Sequence, residues 1–351
     1  MKAHLYVEEA VGERRRVLLD EDGRPFRVDL ERWSEAQDRP RLDEIWWGRI
    51  RARLPGGGWF VDLGGDRDGW IETTRSLRLR EGERLAVRVK AESWAGKGAL
   101  LVRAEPSATD ARPDKPGRLS PAPDDPFLKG VEIIERCEGQ AAGRRIDEAI
   151  EEGLEGRHLI PGGGRLTIET LEAMTVVDVD AGGRDGRPET LAASLNLAAA
   201  REAARLISLK GLGGLVVVDF VSMRSPVDRR ETVAGFREAL AARLGRASEV
   251  LELSRLGLCE AALARRLRPL REALGADPAE REALDVLRAI EREACEKRGA
   301  RIGVRLSPAA AGWLRADRIG WRAALAARIG ERWIIEDTPA PEGRWQVWSL
   351  T

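Results

Sequence analysis

Two stretches of the sequence place carboxylates at the ends of otherwise apolar runs. The run 174–180, MTVVDVD, contains Asp178 and Asp180, and the run 215–220, LVVVDF, has Asp219 as its only polar residue. Side chains alternate along a strand with a period of two, so Asp178 and Asp180 share one face. If the two runs are neighbours in one sheet, two or three carboxylates converge at one sheet edge.

Converging carboxylates repel one another unless a proton or a cation lies between them. A small set of oxygen ligands suits Mg²⁺, which keeps its remaining waters. Such an ion neutralises a phosphodiester and activates a water molecule. The alternative interpretation is that strand-terminal aspartates only cap the turns or helices that follow.

A second group of residues, Phe60, Trp70 and Lys97, lies in residues 45–102, where five short alternating runs are separated by glycine-rich turns. This pattern predicts a small closed β-barrel. Aromatic faces exposed on such a barrel can stack bases, and a nearby cation can hold phosphate. The alternative is that both aromatic residues belong to the barrel core.

Arginines near the carboxylate runs provide candidate positive charge. Arg224 and Arg229 follow the Asp219 run, and Arg255 lies in the segment LSRLGL. They either contact a polyanion beside the carboxylates or lie solvated on the surface.

Several elements must position these groups. The segment TLAASLNLAAAREAARLISL between the two aspartate runs predicts a helix, so the region forms a βαβ-like unit. Alternation around Asp22-Gly23 predicts an N-terminal hairpin. Six prolines between residues 105 and 126 predict an extended linker. Apolar positions Leu284, Leu287, Ile290 and Ala294 predict a helix that opens a small C-terminal α/β unit.

Composition excludes several classes of protein. The 351 residues carry 59 basic and 59 acidic side chains, so there is no overall charge that would attract a polyanion or an anionic membrane. The cysteines Cys137, Cys259 and Cys295 form neither a disulfide framework nor a zinc motif. No long apolar window or secretory signal is present, so we expect a cytoplasmic protein without a membrane partner.

The chain resembles the bacterial RNase E/G endoribonucleases. IWWGRIRARL, GGWFVDLGGDRDGWIE and AESWAGKGAL are similar to the family's S1-type RNA-binding barrel. GGGRLTIETLEAMTVVDVDAG and LNLAAAREAARLISLKGLGGLVVVDFVSM are similar to its DNase I-like catalytic core. The sequence from LRAIEREA to the C-terminus is similar to its small terminal domain.

The resemblance implies a multidomain protein of α+β and α/β units. An OB barrel of the S1 type is inserted near the N-terminus, before a DNase I-like α/β core and a small C-terminal α/β domain. The expected units are a hairpin region within a reduced RNase H-like subdomain, the barrel, the proline-rich linker, an RNase H-like remnant, the catalytic core and the C-terminal domain, at residues 1–35, 36–104, 105–127, 128–158, 159–270 and 271–351.

The implied activity is hydrolysis of single-stranded RNA to 5′-phosphate products in RNA processing or decay. It uses Mg²⁺, with Mn²⁺ as an alternative ion. Asp178 and Asp219 match the metal-binding aspartates, and Asp180 occupies a position that is usually asparagine and is a third catalytic candidate. Phe60, Trp70 and Lys97 match residues that grip the RNA, with Trp70 in place of a usual phenylalanine.

The chain also departs from the family. The stretch that senses an RNA 5′ end is largely missing, and so is the CxxC that links protomers through zinc. We therefore expect no zinc, and either a monomer or a dimer without a zinc link. The family's basic helix after the SR-x-GL element is altered around Cys259, and Ser222 replaces a usual acidic residue. The expected substrates are rRNA precursors or mRNA.

Two other functions remain open from the sequence. One is an RNA-binding protein whose degenerate RNase E/G core cuts little or not at all, which the missing sensor favours. The other is a small-molecule phosphoesterase, which the sequence disfavours because it leaves the barrel without a role.

Overall fold

The structure is a computed structural model that describes most of the chain, namely residues 1–35, 39–54, 57–65, 67–72, 78–94, 96–105, 113–182, 188–245, 248–275, 277–336, 338–341 and 343–350. The strands in chain order are β1 Lys2–Ala10, β2 Glu13–Leu19, β3 Pro25–Arg32, β4 Ile45–Arg53, β5 Trp59–Asp62, β6 Gly69–Ile71, β7 Arg84–Ala91, β8 Leu100–Arg103, β9 Gly117–Ser120, β10 Glu132–Glu138, β11 Arg157–Leu159, β12 Arg165–Thr170, β13 Met174–Asp180, β14 Gly214–Asp219, β15 Ser248–Val250, β16 Leu258–Leu263, β17 Arg301–Arg305, β18 Trp333–Ile335 and β19 Gln346–Leu350. The helices are α1 Gln140–Leu154, α2 Pro188–Leu209, α3 Pro226–Leu244, α4 Leu270–Ala273, α5 Pro278–Glu296, α6 Pro308–Ala316 and α7 Trp321–Ile329. The fold is mixed α+β.

The N-terminal sheet has the strand order β10-β1-β2-β3. The hairpin predicted about Asp22-Gly23 joins β2 and β3, and Gly23 has a positive φ of 73°. Strand β10 returns from more than 90 residues away in the chain and pairs in parallel with β1. Residues on either side of the barrel therefore complete one sheet, which α1 covers. Its relation to an RNase H-like subdomain stays a prediction.

The predicted closed barrel is confirmed. Strands β4, β5, β6, β8 and β7 pair in that order around the barrel, and β4 closes it by pairing with both β5 and β7. Strands β6 and β8 are parallel, while the remaining barrel pairings are antiparallel. Side chains such as Trp46, Ile50, Val61 and Leu101 fill the interior. The barrel is OB-like and closed, with five strands.

The prediction of an extended linker over 105–127 was wrong for part of that segment. Strand β9 pairs antiparallel with β4 at the barrel's edge. Its four residues lie between Pro116 and Pro121, and proline is tolerated beside such short edge strands because it removes only a donor that the ladder does not use. Arg118 on β9 also pairs with the buried Glu44 at 3.2 Å. Residues 106–112 of the predicted linker lie outside the described residues.

The six-stranded sheet that carries the candidate carboxylates has the order β11-β12-β13-β14-β16-β15. Strands β13 and β14 pair in parallel, and α2 connects them, so the predicted βαβ unit is present. One face of the sheet packs against α2 and α3 around a fully buried Phe236. The ring of Phe220 meets that of Phe236 edge to face at 6.3 Å. The opposite face of β13 and β14 is open.

Two predictions for this region need correction. The segment after Cys259, predicted as an altered helix, is the strand β16. Its Cys259, Ala261 and Leu263 are buried and alternate with exposed Glu260 and Ala262, which is a period of two and not a helical period. The predicted boundary between residues 158 and 159 also cuts through β11, which pairs with β12 across the Gly162-Gly163-Gly164 turn.

The C-terminal unit is the predicted α/β arrangement. Leu284, Leu287, Ile290 and Ala294 of α5 are all buried. Helices α5, α6 and α7 share one apolar core with the sheet β18-β17-β19, in which β18 and β19 flank β17 on opposite sides. No described helix combines the length and apolar character needed to cross a membrane.

A network of ion pairs between arginines and carboxylates connects the N-terminal sheet to the C-terminal unit. Arg15 on β2 and Arg292 on α5 each donate to Asp147 on α1, both at 2.7 Å. Arg15 also pairs with Glu8, which accepts from Arg292 at 2.8 Å. Burial raises the pKa of Asp147, but the two arginines outweigh burial and leave the pKa below its usual value.

We expect Asp147→Asn to lower the free energy of unfolding at pH 7 by about 1–2 kcal/mol, since it weakens two charge-assisted hydrogen bonds of a partly exposed group. A lowered pKa gives stability that is complete above the ordinary pKa and lost as pH falls through the lowered value. The difference in melting temperature between wild type and variant should therefore shrink below about pH 4. The exposed neighbour Glu148, changed to Gln, is the control, and a constant difference down to pH 2 would contradict the assignment.

Candidate active site

The candidate site is built on the register between β13 and β14. Asp178 and Asp219 are direct partners in the parallel ladder. Both side chains are exposed on the open face of the sheet, and adjacent strands are about 4.8 Å apart. The pairing expected from the sequence is therefore present: two aspartates that lie 41 positions apart in the chain stand side by side at the carboxyl ends of neighbouring strands.

The two carboxylates have no neutralising partner within the described chain. Neither forms a hydrogen bond or an ion pair there. The residues in register on the outer sides are Thr167 of β12, beside Asp178, and Leu258 of β16, beside Asp219. No group of three or more His, Cys, Asp or Glu side chains in the described residues is arranged to hold a metal ion. The site offers two hard oxygen ligands, which matches the one or two protein carboxylates that Mg²⁺ commonly uses.

Asp180 shares the face of Asp178, but its carboxylate is engaged. One oxygen accepts from the backbone N–H of Gly182 at 2.9 Å, and the other accepts from Arg165 on β12 at 2.9 Å. The backbone hydrogen bond and then Arg165 lower the pKa of Asp180 below its usual value. The third aspartate thus caps the turn after β13 as well as facing the open side of the sheet.

The loop after β14 is held by a residue that the sequence analysis missed. Asn196, fully buried on α2, donates from Nδ2 to the carbonyl of Val221 at 2.7 Å and accepts from its N–H at 3.0 Å. This pair of bonds fixes the backbone two residues beyond Asp219. The available signal was a single amide side chain inside a helix that is otherwise rich in Ala and Leu.

The predicted arginines lie around the same sheet edge. Arg224 is exposed in the loop between Asp219 and α3. Arg229, in the first turns of α3, donates to the carbonyl of Ser254 at 2.8 Å. Arg255 is exposed in the turn before β16, whose Leu258 is the register partner of Asp219. The structure therefore brings Arg255 near the carboxylate edge and gives Arg229 a role in holding the Ser254 turn.

The barrel residues form a second surface. Phe60 on β5 and Trp70 on β6 are direct cross-strand partners, and Phe60 is 37% exposed, so neither ring is buried in the barrel core. Lys97 is exposed in the turn before β8, whose Leu100 pairs with Trp70. A Cβ at Gly98 would lie 1.8 Å from the carbonyl oxygen of Asp68, so only glycine allows this turn to approach the strand.

A cleft of about 900 Å³ lies where the barrel meets the core. Lys97 and Trp94 line its barrel side, and Met174, Thr175 and the Lys210–Gly213 turn line its core side. Met174 lies on the same face of β13 as Asp178, four residues away, which is about 13 Å along a strand. Lys97 of the barrel therefore lines the same cleft as the beginning of β13, the strand whose other end carries Asp178.

Cys259 has no chemical role in this arrangement. It is fully buried on β16, and burial raises the pKa of its thiol to about 11. Cys137 and Cys295 lie on β10 and α5.

The fold and site together define a mixed α+β protein in which an OB-like barrel adjoins a sheet with a carboxylate pair at its edge. Residues 126–266 match the model of the Ribonuclease E/G family. The matched segment contains the β13–α2–β14 unit and both aspartates.

The chain is also similar to individual proteins of that name. The chain is 38% identical to ribonuclease E of Nostoc sp. over 118 residues, which is 33% of this chain and 17% of that protein. It is 36% identical over 119 residues to ribonuclease E of Escherichia coli, covering 33% of this chain and 11% of the relative. A chloroplastic ribonuclease E/G-like protein of Arabidopsis thaliana is 36% identical over 136 residues, covering 38% and 13%. The chain thus aligns with less than a fifth of the length of these relatives.

We expect Asn196→Ala to lower the free energy of unfolding by about 1–3 kcal/mol, because it leaves the N–H and carbonyl of Val221 without partners. Urea unfolding gives the stability, and hydrogen exchange should show faster exchange of the Val221 amide. The exposed Arg201 on the same helix, changed to Ala, is the control. Unchanged exchange at Val221 in Asn196→Ala would be inconsistent with the proposed clamp.

Proposed function

We propose that this protein is an endoribonuclease that hydrolyses single-stranded RNA in RNA processing or decay, leaving 5′-phosphate products. The observation that carries the proposal is the register pairing of Asp178 with Asp219 on the open face of the sheet, inside the segment that matches the Ribonuclease E/G family. In keeping with the family, the six-stranded sheet and its helices are proposed to be a DNase I-like core and the barrel an S1-type domain.

Asp178 and Asp219 are the proposed holders of one Mg²⁺, with Mn²⁺ as an alternative. Their carboxylates are exposed, adjacent and free of competing partners in the described chain, as hard-cation ligands should be. A divalent ion bound there would offset the charge of a phosphodiester and lower the pKa of a water. Asn196 keeps the Asp219 strand end in place, and Asp180 is proposed to order the end of β13 through Arg165 and Gly182.

The RNA is proposed to lie between the barrel and this edge of the core. Phe60 and Trp70 present adjacent aromatic side chains for base stacking, and Lys97 adds a cation at the cleft. Arg224 and Arg255 are proposed to contact phosphates near the carboxylates, and Arg229 to hold the Ser254 turn that presents Arg255. Recognition of an RNA 5′ end is not part of the proposal, because the family's sensor stretch is missing from this sequence.

We expect cleavage of a 5′-labelled single-stranded RNA in buffer with Mg²⁺, and no cleavage when EDTA removes divalent ions. Asp178→Asn and Asp219→Asn should each reduce the cleavage rate by at least about a thousandfold, since each removes half of the protein's proposed ligand set. Glu260→Gln is the matched control: it neutralises an exposed carboxylate on the same face of the sheet, on β16, and should cleave at the wild-type rate. Gel analysis of end-labelled products gives the rates and the chemistry of the new ends.

The same experiment separates the two candidate functions. Equal cleavage by wild type and by both aspartate variants would remove the aspartate pair from the mechanism. RNA binding without any Mg²⁺-dependent cleavage would identify an RNA-binding protein with a degenerate core.

The aromatic surface has its own test. Phe60→Ala and Trp70→Ala should each weaken binding of a short single-stranded RNA by about 1–3 kcal/mol, the range for loss of one base-stacking side chain. The measurement is fluorescence anisotropy in EDTA, so that cleavage does not interfere. Trp33→Ala is the control, because Trp33 is similarly exposed at 38% but lies outside the barrel strands. A loss of affinity equal to that of the control would argue against base stacking.

A further inference from the structure

Where the barrel meets the core, two cationic side chains lie next to one aromatic ring. The guanidinium of Arg265 lies 3.7 Å from the centroid of the Trp94 ring, and Nζ of Lys97 lies 5.0 Å from the same centroid. Trp94 and Lys97 belong to the barrel, while Arg265 belongs to the segment that follows β16 in the core. Both cations line the large cleft.

The position of Arg265 is fixed from its other side by glycines. A Cβ at Gly213 would lie 2.6 Å from Cγ of Arg265, and one at Gly214 would lie 2.3 Å from its Nη2. The arginine therefore lies across the beginning of β14, between the backbone and the indole ring. Next to it, the barrel is attached by the backbone N–H of Glu92, which donates to the carbonyl of Arg266 at 2.8 Å.

Neither cation is neutralised by the described part of the chain. The side chains of Arg265 and Lys97 form no hydrogen bond or ion pair there. The cleft's other two basic side chains are committed to the end of α1: Lys210 donates to the carbonyl of Gly153 at 2.9 Å, and Arg271 to that of Leu154 at 3.0 Å. Burial lowers the pKa of Arg265 more than Glu272 raises it, so its charge lacks full compensation.

We propose that Arg265, held against Trp94, is a further phosphate contact of the single-stranded RNA, beside the barrel lysine Lys97. Two like charges beside one ring repel each other and are stabilised by an anion between them. Glu272 partly compensates the charge of Arg265, while the other carboxylates that line the cleft, on Glu155, Glu169 and Glu172, form no ion pair with either cation. The inference rests on the proposed function for the identity of the ligand.

The site also has a defined place along the RNA. The cleft begins at Met174, about 13 Å along β13 from Asp178 on the same face. A stacked strand rises about 3.4 Å per nucleotide, so the phosphate lies about four nucleotides from the bond at the carboxylate pair, and nearer to it if the strand is extended. The side chains between barrel and core would then contact the RNA well away from the aspartates.

The test measures binding, in EDTA, of a fluorescein-labelled 12-nucleotide single-stranded RNA over a series of NaCl concentrations. Arg265→Met keeps a long apolar stem against Trp94 and loses the charge. It should weaken binding about tenfold near 0.1 M salt and reduce the slope of log K against log salt by about 0.7, the contribution of one phosphate contact to a single strand. Arg265→Lys should restore most of the slope. Arg298→Met, an exposed arginine outside the cleft, should change neither quantity.

A second measurement identifies the phosphate. Neutral methylphosphonates are placed one at a time along the RNA, and one position should weaken wild-type binding while leaving Arg265→Met unaffected, as expected for two groups that contact each other. An unchanged salt slope in Arg265→Met, or additive losses at every position, would overturn the phosphate site and leave Arg265 as a structural link. Because no cleavage is needed, failure of the nuclease proposal would appear separately, as absence of Mg²⁺-dependent products.

Discussion

The parallel pairing of β13 with β14 is the constraint on which the candidate site depends. A strand that continues through a helix into a parallel neighbour places both carboxyl ends at the same sheet edge. Here α2 makes that connection, and the ladder sets Asp178 directly opposite Asp219. A slip of one residue would turn one carboxylate to the helical face. The buried face of Val177, Val179, Val216 and Val218 against α2 and α3 fixes the register, so the apolar core specifies the geometry of the polar site.

The two paired carboxylates of the candidate site lack arginine partners in the described chain, whereas several carboxylates elsewhere have them. Asp29 and Asp147 lie among arginines that outweigh the effect of burial and lower the pKa of each carboxyl, and this network connects the sheets. Asp178 and Asp219 have no such partner in the described chain. Among the described residues, the protein therefore leaves Asp178 and Asp219 open while arginines neutralise Asp29 and Asp147. Lys97 and Arg265 are the cationic counterpart where the barrel meets the core, since neither side chain forms an ion pair with the described residues.

Much of the fold was predictable from the sequence because its signals are local. Alternation identified the barrel strands, the apolar runs identified β13 and β14, and the stripe of Leu284, Leu287 and Ile290 identified α5. The errors concern strands with weak local signals. Strand β9 sits between prolines at the edge of the barrel, and β16 is too rich in alanine to be distinguished from a helix by composition, so its pairing with β14 and β15 decides its conformation.

The candidate site was also predictable in part, because some of its residues give a local signal in the sequence. The aspartates were visible because a charged residue interrupts a buried run. Asn196 was not, since a polar residue on a helix gives no indication that its amide will clamp the backbone of Val221. The contact of Trp94 with Arg265 joins residues 171 positions apart and depends on how the barrel docks. No local pattern in the sequence carries that information.

The insertion of the barrel between β3 and β10 affects how this architecture can be rearranged. These strands are the two outer strands of one four-stranded sheet, about 14 Å apart across three strand spacings. Both strands run parallel to β1, so the end of β3 and the beginning of β10 lie at opposite ends of the sheet, and a connection must also cover the 8 residues of β3, about 26 Å. The returning segment also supplies Phe127, which is buried against Phe26 and lies 4.4 Å below the guanidinium of Arg16. The barrel is thus bounded by β3 and Phe127, and any segment in its place must carry the chain back along the length of β3 for the sheet to keep all four strands.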